Sequence, residues 1–222
     1  MPTTPCELFK KVNLKIQGQV DWGKPIPSDD CGLYVVAVTN KPDYLIYEPT
    51  ANLKYACIDS WIQTIIDGGK QILIDGKPAD RTFLKERISK FWLPDETIIY
   101  IGKAGPSKKR SLRVRVNEFY HTRMGCDGRH AGGNWVNLLS NLDSYSVYYS
   151  SYLNSDVEVL EEAMLEYFME CVSNETRKKL YDHETCLPFA NKEIHRSALG
   201  TTIRKRHGIG NSTVDCGGSW RR

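Results

Sequence analysis

The stretch that most constrains the fold is 97–115, TIIYIGKAGPSKKRSLRVR. It opens on Ile98, Ile99, Tyr100 and Ile101, the β-branched and aromatic residues a strand needs. Gly102 and Gly105 follow, where the chain can turn tightly and another group can approach the backbone. Ser111 then offers an N-cap, and Leu112, Val116, Phe119 and Tyr120 recur on one helical face. The spacing predicts a strand, a basic loop and a helix in immediate succession. Lys103, Lys108, Lys109, Arg110, Arg113 and Arg115 place six cations within 13 residues at the mouth of that strand. Such a cluster points to an anionic ligand, against the plainer reading of a solvated basic loop.

Periodicity organises the rest. Residues 32–39 (GLYVVAVT) form a continuous apolar run, the pattern of a central strand. Helical spacing recurs at 53–66 and at 84–92, stopped by Gly68-Gly69 and by Pro94, with a short strand at 71–75 between them. Residues 123–134 are a glycine-rich loop, 135–141 a short helix, and 144–152 a tyrosine-rich strand. Ser155 and Glu158 read as a capping box opening a long helix to about residue 173. Residues 1–30 read as an arm with one strand at 12–18, and 192–222 as a basic tail.

Charge is unevenly placed. The chain has a net charge of +3, but residues 103–129 hold eight cations and two acids, and 192–222 hold seven and two. Two basic stretches around a neutral core are the footprint expected of a nucleic-acid-binding protein. No run of apolar residues is long enough to span a membrane, and the N-terminus lacks the apolar segment of a secretory signal. The seven cysteines are odd in number, scattered and without a C-x-x-C pair, which leads us to expect reduced thiols and a cytoplasmic setting.

Gly32-Leu33-Tyr34 and Tyr100-Ile101-Gly102, with Lys103-Ala104 after them, resemble the two half-motifs of the GIY-YIG nuclease superfamily. An Arg at a Leu-x-x-Arg helix start (Leu112, Arg115), a Glu on a later helix and an Asn after a proline turn (Pro188, Asn191) follow in the family's order. The resemblance covers roughly 31–40 and 97–191. It implies a mixed α/β core, a small central β-sheet flanked by helices, with 41–96 as a helical insertion between the half-motifs. It also implies a DNA endonuclease that hydrolyses phosphodiesters with Mg²⁺ or Mn²⁺. Double-stranded DNA is then the partner, a homodimer is allowed, and the expected setting is a sequence-specific type II restriction or defence system. A non-catalytic nucleic-acid-binding module on the same fold, or a structure-selective repair or recombination nuclease, are the alternatives.

The catalytic candidates under this resemblance are Tyr34, Tyr100, Arg115, His121 and Glu161, with Glu161 also the metal ligand. Glu161 has an independent argument. At about 100° per residue, Glu158, Glu162, Glu166 and Glu170 share one face, whereas Glu161 falls among Leu160, Met164, Leu165 and Phe168. A carboxylate in an apolar sector needs a cation, either a neighbouring side chain or a metal ion. Glu162 is the fallback.

The resemblance has Arg115 bind the scissile phosphate, with Arg113 on the opposite flank able to compete. It places Tyr34 and Tyr100 at the border of the site, one of them near the attacking water. It departs at Phe119, where the family usually has Tyr or His; His121 then stands as a substitute base, with His130 another. A zinc site of His121, Cys126 and His130 matches no standard spacing. The expected DNA contacts are Lys103, Lys108, Lys109, Arg110, Arg113, Asn191, Arg204, Lys205 and Arg206. The basic tail is expected to wrap DNA and read its sequence, leaving a core ending at Lys192 able to fold.

Overall fold

The apolar run at 32–39 becomes the middle of the molecule. In the computed structural model, which describes residues 2–105, 110–128 and 132–217, strand β2 (Gly32–Ala37) is buried at every position. It lies inside a four-stranded antiparallel sheet with β1 (Gly18–Asp21), β5 (Ile98–Ala104) and β6 (Ser146–Ser151), in the order β1-β6-β2-β5. Side chains alternate across a strand, and β2 feeds two cores at once. Leu33, Val35 and Ala37 pack with α1 (Pro5–Lys11) and α6 (Val157–Cys171). Tyr34, Val36 and Val38 pack with α2 (Tyr55–Asp67), α3 (Arg81–Ser89), α4 (Leu112–Tyr120) and α5 (Gly133–Val136). A seventh helix, α7 (Asn174–Lys179), follows α6. The architecture is mixed α/β, a small antiparallel sheet with helices on both faces, and no helix among the described residues is long and apolar enough to cross a membrane.

The 41–96 region does carry two helices and a short hairpin, β3 (Leu73–Ile74) with β4 (Lys77–Pro78). Helix α3 starts earlier than its apolar spacing suggests, because the Asp80 side chain accepts from the Phe83 amide and caps it. The N-terminal arm is corrected outright. Residues 5–11 are helical, held by a Thr4–Glu7 capping box, and Leu8 and Phe9 are buried beside α6. At α6 the expected Ser155–Glu158 box does not form; Asp156 is the N-cap without a side-chain bond, and Glu158 is engaged by Lys103.

The tail is not a free arm. Strands β7 (Glu193–Arg196) and β8 (Thr201–Arg204) pair with each other, and β9 (Ile209–Gly210) joins β3. Lys205, Ile209 and Val214 are buried. Trp61 donates to the Ser212 carbonyl, Arg87 to that of His207, and the Val214 amide to that of Gly125. A chain ending at Lys192 would lose these contacts and uncover Trp61 and part of the α2–α3 core. The cysteine expectation fails, since Cys126 and Cys216 are joined in a disulfide that ties the tail to the loop after α4, while Cys6, Cys31, Cys57, Cys171 and Cys186 are free thiols.

Candidate functional site

The register of β2 against β5 sets Tyr34 opposite Gly102 and Val36 opposite Tyr100. The two tyrosines are therefore diagonal neighbours on one sheet face, with ring centroids 5.8 Å apart. Phe119 of α4 closes the group, 4.7 Å from Tyr100 and 6.2 Å from Tyr34. Gly102 makes this crowding possible: a Cβ there would stand 2.5 Å from the Tyr100 ring and 2.7 Å from the Tyr34 ring. Gly132 serves the same end from the other side, its absent Cβ also leaving room for Tyr100. The two hydroxyls are hydrogen bonded to each other. Burial raises both phenols far above their ordinary pKa, with Glu161 pushing the same way and Arg115 opposing. At neutral pH both are uncharged, able to orient a polar group and unsuited to act as anionic bases.

Glu161 approaches from α6, and Lys103 on β5 meets it. The Lys103 ammonium lies 3.4 Å from the Glu161 carboxylate and 2.7 Å from that of Glu158. Burial raises the Glu161 pKa, while Lys103 and Arg115 pull it down. Its side chain keeps 19 % of its exposure, so the carboxylate sits at a mouth and is not sealed. Arg115, projecting from the first turns of α4, lies 3.2 Å from Glu118 and is 17 % exposed. Its charge acts on Tyr34, Tyr100 and Glu161 alike. Residues far apart in sequence on β2, β5, α4 and α6 thus share one partly open site beside β5, the largely buried edge strand of the sheet, and Glu161 is less exposed than Glu158 and Glu166, as its helical phase requires.

Other candidates land elsewhere. His121 is the exposed C-cap of α4, its ring nitrogen 2.9 Å from the Asn117 carbonyl. It lies six residues past Arg115, about 240° round the helix, and so turns away from the cluster. Asn191 is buried and its side chain takes the Ile101 amide at 2.9 Å and donates to the Ile101 carbonyl at 2.8 Å. It clamps the edge strand and cannot reach DNA. Lys205 is likewise no DNA contact: its ammonium is buried, donating to the carbonyls of Pro188 and Phe189 over the rings of Phe91 and Trp135.

Arg113 is half-exposed and held by Asp29 and the Ile26 carbonyl, and Arg110 is exposed. Arg204 and Arg206 are exposed and paired with Glu193 and Glu184. Lys108, Lys109 and His130 lie outside the described residues. The zinc arrangement is overturned because Cys126 is in a disulfide.

Sequence reasoning missed the anionic partners. Glu118, three residues after Arg115, was visible as an i,i+3 pair. Glu158 was assigned to a helix cap. Glu193 and His195 of β7 also border the site, the first acting on Tyr100 and the second on Glu158; nothing local in the sequence marks them. Among the described residues no group of three His, Cys, Asp or Glu side chains could hold a metal. Glu161 is one carboxylate with an ammonium beside it. That donor set suits a hard cation that keeps most of its waters and shares a substrate phosphate, and does not suit a tightly held resident ion. Comparison with protein families, curated proteins and solved structures finds no match.

Proposed function

We propose that this chain is a metal-dependent DNA endonuclease of the GIY-YIG type, hydrolysing phosphodiesters in double-stranded DNA. The observation that carries the reading is the meeting of Tyr34, Tyr100, Arg115 and Glu161 around one partly open site. Partly exposed cations and neutral phenols beside a single raised carboxylate suit a phosphate diester better than a neutral substrate. In this reading Arg115 releases Glu118 for the scissile phosphate, where a guanidinium gains most as charge develops. The Tyr34–Tyr100 pair orients the attacking water through its hydroxyls. Lys103, already shared between Glu158 and Glu161, redistributes between carboxylate and phosphate. Glu161 would hold Mg²⁺ or Mn²⁺, which supplies Lewis acidity at the phosphate when bound.

A second reading has one observation in its favour. Phe119 fills the position where a base is expected and His121 turns outward, as in a binding module that has lost cleavage. Incubating the protein with plasmid and phage DNA, with and without Mg²⁺, separates the two. Discrete fragments that require Mg²⁺ support the nuclease; retarded but intact DNA supports the binding module; neither outcome rejects both. A restriction or defence role, as against repair, would appear as a defined set of fragments from intact duplex.

A further inference from the structure

Strands β7 and β8 form a two-stranded ribbon that joins neither the central sheet nor the β3 hairpin. Four cross-strand pairs hold it, Glu193↔Arg204 through Arg196↔Thr201, closed by a turn at Ser197–Leu199 and Gly200 at φ 60°. Ile194 alone of its strand residues is buried, pegging the base into the α1–α6 core. All four residues of β8 are exposed, and Leu199 at the tip is 67 % exposed. The root is rigid. Buried Lys205 ties it to the Pro188 and Phe189 carbonyls, and the Lys205 amide bonds to the Lys192 carbonyl. The β7 flank and the closing turn are docked on α6, where the Ser197 amide donates to Glu162 and Arg196 meets Glu166, which leaves β8 as the free side. Helix α6 is the element that carries Glu161, and Glu193 and His195 border the cluster.

We infer that this ribbon enters the major groove of double-stranded DNA and reads base edges next to the phosphate held by Arg115. The inference rests on the nuclease reading for its choice of ligand. Two paired strands lie about 5 Å apart, and the major groove, about 12 Å wide, admits such a two-stranded ribbon. With buried Lys205 left out, residues 193–206 carry Arg196, Arg204 and Arg206, each paired with a carboxylate, that of Glu166, Glu193 and Glu184 in turn. The pairs that now hold Arg204 and Arg206 are surface pairs, 78 % and 76 % exposed on the arginine side, which a phosphate or a guanine edge displaces at little cost. The readout chemistry is present as well. His195 and Thr202 are cross-strand partners, their side chains 3.1 Å apart, offering an ordered donor–acceptor pair and a methyl group. Phosphate contacts carry no sequence information, so a selective nuclease needs such an element.

The test uses the full chain and a pool of short random-sequence duplexes, selected by binding without metal, alongside cleavage of phage DNA with Mg²⁺. The wild type should enrich a sequence. Thr202→Ala and Arg204→Ala, both at exposed positions, should melt like the wild type and bind an unselected duplex within about twofold for Thr202→Ala, yet lose about ten-fold or more in preference for the enriched sequence. A wild type that enriches nothing, or variants that keep the full preference, would overturn the inference. So would variants that change only the molar mass in solution, which would make β8 a contact between copies of the chain. A wild type that enriches a sequence but never cuts would sink the nuclease reading and leave the ribbon standing; discrete cuts untouched by both variants would do the reverse.

Discussion

Replacing Lys205 with Met should change how stability depends on pH, and by an amount the structure sets. Burial lowers the Lys205 pKa to about 7 from an ordinary value of 10.5. Its ammonium donates to two backbone carbonyls and faces Phe91 and Trp135, with Asp182, Cys186 and Lys192 as charged or ionisable neighbours. A base whose folded pKa is depressed leaves the unfolded chain holding more protons between pH 7 and 10.5. Stability therefore rises with pH through that window and is flat, for this group, below it. One pKa unit is about 1.4 kcal/mol, so Lys205 should add on the order of 2–3 kcal/mol between pH 7 and pH 9.

Lys205→Met removes that slope while filling similar volume. It leaves the two carbonyls without their partner, a loss of about 1–3 kcal/mol each. Lys192, lowered to about 8 by burial, contributes to both proteins, so the difference between them reports Lys205. Urea melts at pH 7 and 9 with the disulfide intact give the comparison. Parallel pH dependence in the two proteins would refute the burial of Lys205 and, with it, the tail as part of the core.

Glu96 is the mirror case: buried, accepting from the Thr3 amide, and raised by burial to about 7. The folded state holds its proton between pH 4.5 and 7, so Glu96→Gln should stabilise by on the order of 3 kcal/mol at pH 8 and by almost nothing at pH 4 in the same melts. Reducing the Cys126–Cys216 bond, which closes a 90-residue separation, should cost about 4–5 kcal/mol on the chain-entropy account, read as a lower urea midpoint in reductant. DNA affinity should fall steeply with salt. If about five phosphates are neutralised, the slope of log K against log[salt] is about −4.5, and a flat response would point to a different ligand. Arg115→Ala should lower cleavage by about 10²–10³-fold with a few-fold loss in affinity, and a larger effect from Arg113→Ala would displace Arg115 from the site.

What could be read from sequence was what local periodicity encodes. The continuous apolar run of β2, the strand and the helix within 97–120 and the out-of-phase Glu161 each need only a window of residues. The tail was misread because Ile209 and Val214 are isolated apolar residues in a basic, glycine-rich context. Their partners, Leu73 with Ile74 on β3 and Gly125 beside Cys126, are supplied by distant chain. Lys205 shows the same blindness: in Arg204-Lys205-Arg206 three cations look alike, and only the carbonyls of Pro188 and Phe189, with the rings of Phe91 and Trp135, draw the middle one inside. Helix α1 was within reach, since Thr4 and Glu7 spell a capping box, but seven residues are too few to be helical without α6 beneath them. His121 was placed by type and not by phase; the helix turns it to solvent.

The central claim is that Glu161 serves the chemistry and does not merely complete an ion pair with Lys103. Glu161→Gln keeps the shape of the side chain and removes its charge. The measurement is Mg²⁺-dependent cutting of supercoiled plasmid, made beside DNA affinity on the same preparation. The account predicts cutting reduced at least about a hundred-fold with affinity within a few fold of wild type. Undiminished cutting by Glu161→Gln, or its loss only in Glu162→Gln, would contradict it.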